Sequence, residues 1–166
     1  MAHYRSRNGP TDFAEEAYDL AIEQYRKTIE LHPYFIPTYL LLGSALLAQS
    51  MLAEAIVVFQ KAVDLSGYKM AIACLGAACA MSGQADKARD RLTELQGMSE
   101  SEYVPPFAFF VLNLSMGRVE EAFQWLETAF QQRDSNLLLF RVLLAYEALS
   151  SHPRFKDLLC RMNLAQ

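Results

Sequence analysis

Apolar residues recur at helical spacing along most of the chain, and the clearest stretch runs from Ile36 to Gly67. Two such runs lie on either side of a short polar step at Gln49-Ser50, so the pattern predicts two helices, about Ile36–Gln49 and Leu52–Leu65, joined by a tight turn. Small residues, Gly43 on the first helix and Ala55 on the second, allow the two backbones to approach closely while larger side chains fill the space beside them.

The same arrangement returns in two further stretches. A third hairpin places Gly76 and Ala88 at the positions of Gly43 and Ala55 and turns at Gly83-Gln84. A fourth begins at Pro105-Pro106 and turns at Gly117, with Phe110 where the earlier hairpins have glycine. We expect the Phe110 ring to push the two helices of that hairpin apart or to rotate them.

Shorter elements are predicted at the two ends. Thr11 is a good N-cap for a helix that runs to about Leu31, where His32-Pro33 ends it. Asp134 or Ser135 caps a helix to about Leu149, and a break at Ser150–Pro153 precedes a short last helix over about Arg154–Leu164. The first ten residues are polar and contain Gly9-Pro10, which predicts a disordered leader over 1–10.

The second hairpin, Ile36–Gly67, carries an aromatic residue, a Leu-Gly pair and a large apolar residue on its first helix, and Ala, an aromatic residue and Ala on its second. These residues are Tyr39, Leu42, Gly43, Leu46, Ala55, Phe59 and Ala62. Their spacing resembles the tetratricopeptide repeat. The resemblance implies an all-α, right-handed superhelix of antiparallel hairpins. It divides residues 11–166, read as one domain, into a half repeat or capping helix at 11–33, repeats at 36–67, 69–100 and 103–134, and a degenerate C-terminal cap at 135–166. The segment that ends in His152-Pro153-Arg154-Phe155 also resembles the last repeats of many multidomain bacterial regulators.

Composition narrows the classes of partner. The net charge is -4 and no long basic run is present, so nucleic acid and anionic membrane are poor partners. No apolar run reaches the roughly 18 residues that a membrane span needs, and no signal peptide is visible, so we expect a cytoplasmic protein without a membrane span.

The sequence shows no arrangement typical of catalysis or metal binding. The 3 cysteines, Cys74, Cys79 and Cys160, are odd in number and lack zinc-site spacing, and His3, His32 and His152 lie in the leader or at helix ends. No glycine-rich phosphate loop follows a strand. We therefore predict a protein that is not an enzyme and that needs no metal or other cofactor.

Charge is distributed unevenly within the hairpins. Asp, Glu, Lys and Arg are absent from 33–53, 70–85 and 103–117, which hold the first helices, while the second helices carry most of the charge. In tetratricopeptide arrays the first helices line the concave face, so the resemblance implies an apolar groove there. The residues it places in that groove are Leu40, Ser44, Leu47, Met70, Ala73, Ala77, Met81, Phe107, Val111 and Leu114. The Lys, Asn and Arg residues that clamp a carboxylate in some members of the family are missing from these positions.

These observations support a scaffold or adaptor module that binds an apolar or amphipathic peptide or helix of a partner protein in its groove. Two alternatives stay open: a self-association domain, such as a homodimer within a larger bacterial signalling or transcription regulator, and a sensor for apolar small molecules. The apolar face could instead be filled by neighbouring helices, by the N-terminal helix or by the C-terminal cap.

Overall fold

The computed structural model describes residues 10–141, 149 and 152–161, and these contain helices and no strand. The elements in chain order are α1 (Pro10–Leu31), α2 (Ile36–Ala48), α3 (Leu52–Ser66), α4 (Lys69–Met81), α5 (Ala85–Ser99), α6 (Pro106–Ser115), α7 (Val119–Gln131), a 3-10 helix (Ser135–Arg141) and α8 (Pro153–Arg161). The all-helical architecture expected from the sequence is confirmed for the described residues.

Three consecutive pairs, α2–α3, α4–α5 and α6–α7, form helical hairpins whose members pack against each other. Each turn contains one residue with a left-handed backbone, Ser50 (φ 58°), Gly83 (φ 79°) and Gly117 (φ 75°) in that order. Glycine adopts this conformation without steric cost, which explains why the last two turns are visible in the sequence.

In the α2–α3 hairpin the close approach predicted at Gly43 occurs. A side-chain carbon on Gly43 would collide with the ring of Phe59, which is completely buried, and Ala55 on α3 is also completely buried. The hydroxyl of Tyr39 donates a hydrogen bond to the carbonyl of Pro33 at 2.8 Å, which ties α2 to the link that precedes it. These contacts explain why this hairpin needs small and aromatic residues at fixed positions.

The α4–α5 and α6–α7 hairpins are packed together through α4 and α6. A methyl group on Gly76 would lie 2.6 Å from Cδ1 of Leu112 and 3.0 Å from Cβ of Arg91, so Gly76 allows both α6 and α5 to approach. Phe110 is completely buried, with its ring centroid 5.2 Å from that of Phe107. The expected separation of α6 from α7 is not found, because this pair packs as extensively as α2 and α3 and the ring is accommodated in the core.

At the N-terminal end, α1 packs on α2, and Ile22, Tyr25 and Ile29 join the core. The guanidinium of Arg26 also forms an ion pair with Glu54 of α3 at 2.5 Å. The helix begins at Pro10 rather than Thr11, and residues 1–9 of the predicted leader lie outside the described residues.

At the C-terminal end, α8 lies against α7. Phe155 and Leu158 are buried, and two ion pairs, Arg154 with Glu120 and Arg161 with Glu127, each join residues 34 positions apart. An offset of 34 is the length of one tetratricopeptide repeat, so α8 lies beside α7 at the equivalent position of the next repeat. The helix predicted from 135 to about Leu149 begins as a 3-10 helix, and 142–148 and 162–166 lie outside the described residues.

Candidate binding surface

The structure buries more than half of the residues that the sequence placed in the groove. Six are buried in the single chain: Ser44, Met70, Ala73, Ala77, Phe107 and Val111. Leu40, Leu47 and Leu114 are partly exposed, and Met81 is 45% exposed. A partner at the surface can therefore contact the four exposed or partly exposed residues but not the six buried ones.

The five buried residues on α4 and α6 are covered because these two helices pack directly against each other. Ala73 and Phe107 are completely buried, and Met70 is 1% exposed. Leu137 of the 3-10 helix belongs to the same core cluster. The low charge of α4 and α6 is thus explained by packing within the chain, which is the structural alternative left open by the sequence.

An apolar cavity of about 550 Å³ lies where the start of α2 meets the link between α3 and α4. We call it the apolar cavity, and its lining residues are Ile36, Pro37, Leu40, Leu41, Ser66, Gly67, Tyr68 and Lys69. It exists because α2 and α4 make few contacts with each other, although both pack against α3. The volume is within the range of about 300–1,000 Å³ that ligand pockets usually have.

A group of exposed apolar side chains precedes the cavity in the chain. Leu31 is 75% exposed, Tyr34 79% and Phe35 56%, and Phe35 is followed directly by Ile36 of the cavity wall. We call Leu31, Tyr34 and Phe35 the apolar rim. Single exposed apolar residues are common, but three within five positions, just before the cavity wall in the sequence, are typical of an interaction surface.

The cavity has almost no charge. Among the described residues of its lining, Lys69 is the one that carries a charge, and its ammonium is paired with the carboxylate of Glu102 at 2.5 Å. The described part of the lining therefore offers no unpaired cation that could bind a carboxylate, and no carboxylate that could bind a cation. It suits uncharged apolar groups.

Of the residues predicted from the sequence, Leu40 lines the cavity. Sequence reasoning did not include Leu41, Gly67, Tyr68 or Lys69 among the site residues. The uncharged stretch that begins at Pro33 was the available signal for Leu41. No comparable signal marks the other three, because they line the cavity only through the position of α4 relative to α2.

The described residues offer little for catalysis or metal binding. Burial raises the pKa of the Cys74 thiol to about 12, and burial also raises the pKa of Cys79, so both are protonated thiols at neutral pH. Cys160 is exposed. Among the residues that the structure describes, no three His, Cys, Asp or Glu side chains are grouped so as to hold a metal ion.

Within the same residues, no helix is long and apolar enough to cross a membrane. No curated protein matches the chain.

A family model described as tetratricopeptide repeat matches residues 36–67, the hairpin formed by α2 and α3. Such repeats generally mediate protein–protein interaction and typically form non-catalytic scaffolds. With the stacked hairpins described above, this match confirms the predicted tetratricopeptide-like fold. The match covers the α2–α3 hairpin alone, and the other described hairpins share its tetratricopeptide-like, all-helical architecture.

Proposed function

We propose that this protein is a non-catalytic interaction module that binds an uncharged apolar segment of a partner protein, peptide or helix, in the apolar cavity. The observation that supports this most strongly is the cavity of about 550 Å³ with the exposed apolar rim beside it. The partner's apolar side chains enter the cavity, and its backbone lies along the rim formed by Leu31, Tyr34 and Phe35.

The charge of the surface determines the chemistry of the partner. A carboxylate or ammonium transferred from water into this cavity would lose its hydration without gaining a counter-ion, because Lys69 is already paired with Glu102. A segment with one or two large apolar residues avoids that cost. In such interfaces a few buried anchors supply most of the binding free energy.

The proposed surface is smaller than the groove predicted from the sequence. Leu40 belongs to it, and Leu47, Met81 and Leu114 are exposed positions that a longer partner segment could contact. The buried residues of α4 and α6 take no part in the proposal.

The test begins with peptides selected by display on the wild-type protein, whose dissociation constants are measured by fluorescence anisotropy. We expect Leu41→Asp to weaken binding at least tenfold, because a carboxylate then lines the cavity. Val57→Asp is the matched control: Val57 is 66% exposed on α3 and lies outside the cavity lining, so binding should be unchanged.

Three results would contradict the proposal. The first is a selected peptide that binds Leu41→Asp as tightly as it binds the wild type. The second is a concentration-dependent dimer in light scattering that Leu41→Asp dissolves, since the cavity would then hold a second copy of the chain. The third is an apolar small molecule that raises the melting temperature while no peptide binds, which would indicate a sensor.

A further inference from the structure

A buried carboxylate joins two helix starts on the C-terminal side of the molecule. Asp134 is 6% exposed. Its Oδ2 accepts a hydrogen bond from the backbone N–H of Phe107 at 3.0 Å, at the start of α6. Its Oδ1 accepts from the backbone N–H of Asn136 at 2.9 Å, at the start of the 3-10 helix. Asp134 therefore satisfies amide groups of both helices that have no partner within their own helix.

The same carboxylate fixes the side chain of Asn136. Nδ2 of Asn136 donates to Oδ1 of Asp134 at 2.8 Å, and Asn136 is 8% exposed. With its amide nitrogen committed to Asp134, Asn136 presents its Oδ1 as an acceptor to another group. The hydroxyl of Tyr68 donates to that oxygen at 3.2 Å, across 68 positions of sequence.

Tyr68 is held at both ends and lines the apolar cavity. Its backbone N–H donates to Oγ of Ser66 at 3.1 Å, while its hydroxyl bonds to Asn136. Tyr68 as a whole is 37% exposed. A side chain restrained in this way forms a fixed wall of the cavity before any ligand arrives.

We infer that Tyr68 is a positioning residue for the apolar cavity, and that its hydrogen bond to Asn136 couples occupancy of the cavity to the 3-10 helix Ser135–Arg141. This inference rests on the proposed function, because it takes the cavity as the binding site. A ligand that packs against the Tyr68 ring favours the conformation in which the hydroxyl reaches Asn136. By reciprocity, the intact bond raises the affinity of the cavity by the same factor.

The size of the coupling is limited by the hydrogen bond that carries it. A ring released by Tyr68→Phe must be ordered when the ligand binds, which lowers affinity. A single hydrogen bond of ordinary strength corresponds to a loss of about three- to tenfold. Asn136→Ala should cause a similar loss, since removing the acceptor releases the ring while Tyr68 itself is unchanged.

The experiment uses the full chain and Nile red, an uncharged apolar dye whose fluorescence reports an apolar site. Dissociation constants are measured for the wild type, Tyr68→Phe, Asn136→Ala and the double variant. Tyr103→Phe is the matched control, because Tyr103 also precedes a first helix, is 66% exposed and lies outside the cavity lining. Hydrogen exchange of the Asn136 and Leu137 amides is recorded with and without the dye, as a readout that reports on the 3-10 helix itself.

We expect each single variant to weaken binding about three- to tenfold, the double variant to be no weaker than the single ones, and Tyr103→Phe to match the wild type. The dye should slow exchange of the two amides severalfold in the wild type and leave it unchanged in Tyr68→Phe. Unchanged binding by Tyr68→Phe, or losses that add independently in the double variant, would overturn the coupling alone. A wild-type protein that does not bind Nile red would overturn the proposed cavity as well.

Discussion

Two junctions between first helices are built from equivalent parts of the repeat and differ in how closely they pack. At the open junction, α2 and α4 make few contacts, and the apolar cavity lies at one end of it. At the closed junction, α4 and α6 pack together and bury Ala73 and Phe107 completely.

The glycine at the same repeat position serves a different contact at each junction. Gly43 on α2 faces Phe59 of its own hairpin and so brings α3 close, as Gly76 does for α5 through its contact with Arg91. Gly76 on α4 faces Leu112 of the following hairpin and allows α6 to approach. The comparison teaches that both hairpins share the repeat signature, while the packing between neighbouring first helices differs from one junction to the next.

The largest effect on thermal stability is expected when Asp is introduced at each of the two junctions. Phe107→Asp buries a carboxylate at a fully buried position of the closed junction, which costs several kcal/mol out of the roughly 5–15 kcal/mol of a typical domain. We expect circular dichroism to show loss of the cooperative thermal transition. Leu41→Asp, at the open junction, is the control and should keep that transition. A Phe107→Asp variant that melts like the wild type would mean that Phe107 is accessible.

A smaller loss of stability is expected from substitution of Gly76, the packing glycine of the closed junction. Gly76→Ala places a methyl group 2.6 Å from Cδ1 of the fully buried Leu112. Overpacking costs about 1–3 kcal/mol, partly offset by the higher helix propensity of alanine, so we expect a net loss of about 1 kcal/mol in the free energy of unfolding by urea.

The contact between Gly76 and Leu112 can be isolated with a second substitution. In a Leu112→Val background the cost of Gly76→Ala should shrink, because the colliding methyl group is gone, whereas the cost of Gly43→Ala should stay the same. Equal costs of Gly76→Ala in both backgrounds would show that Leu112 does not set the distance between α4 and α6.

The smallest loss of stability is expected away from both junctions, where α8 packs against α7. Nη2 of Arg161 donates to Oε1 of Glu127 at 2.6 Å and Nη1 to Oε2 at 2.9 Å. This guanidinium holds the pKa of the Glu127 carboxyl below its ordinary value of 4.5. Because both side chains are well exposed, we expect Glu127→Gln to lower the free energy of unfolding by only about 0.5 kcal/mol at neutral pH.

The pH dependence of that difference has a definite sign. A carboxyl whose pKa is lowered by folding stabilises the fold above 4.5, and the contribution is lost as the pH falls through the folded-state pKa. The free energies of unfolding of the wild type and of Glu127→Gln should therefore become equal in acid. Glu121→Gln, an exposed change on the same helix, is the control. A difference that persists in acid, or an equal loss in the control, would contradict this account of the ion pair.

The helices and their order could be predicted from the sequence because local signals mark their ends. Pro33, Gly67, Gly83 and Gly117 each lie within two residues of a helix end. Their effect depends on backbone conformation within a few residues, which sequence patterns report directly.

The cavity could not be predicted in the same way, because it depends on contacts between distant parts of the chain. Apolar residues such as Leu41 and Phe107 look alike in the sequence, yet one lines the cavity and the other is completely buried. The hydrogen bond between Tyr68 and Asn136 spans 68 positions and has no sequence signature. Low charge identified the first helices as apolar. It did not show which of their residues are covered by neighbouring helices.

The most direct test of the open junction as the partner site is a nitrogen–proton correlation spectrum of the labelled protein, titrated with a display-selected peptide. The account predicts that the largest shifts fall on the amides of Ile36–Leu41 and Gly67–Lys69, which surround the apolar cavity. The largest shifts at Met81 and Leu114, with the cavity amides unchanged, would contradict it and move the partner to the exposed remainder of the predicted groove.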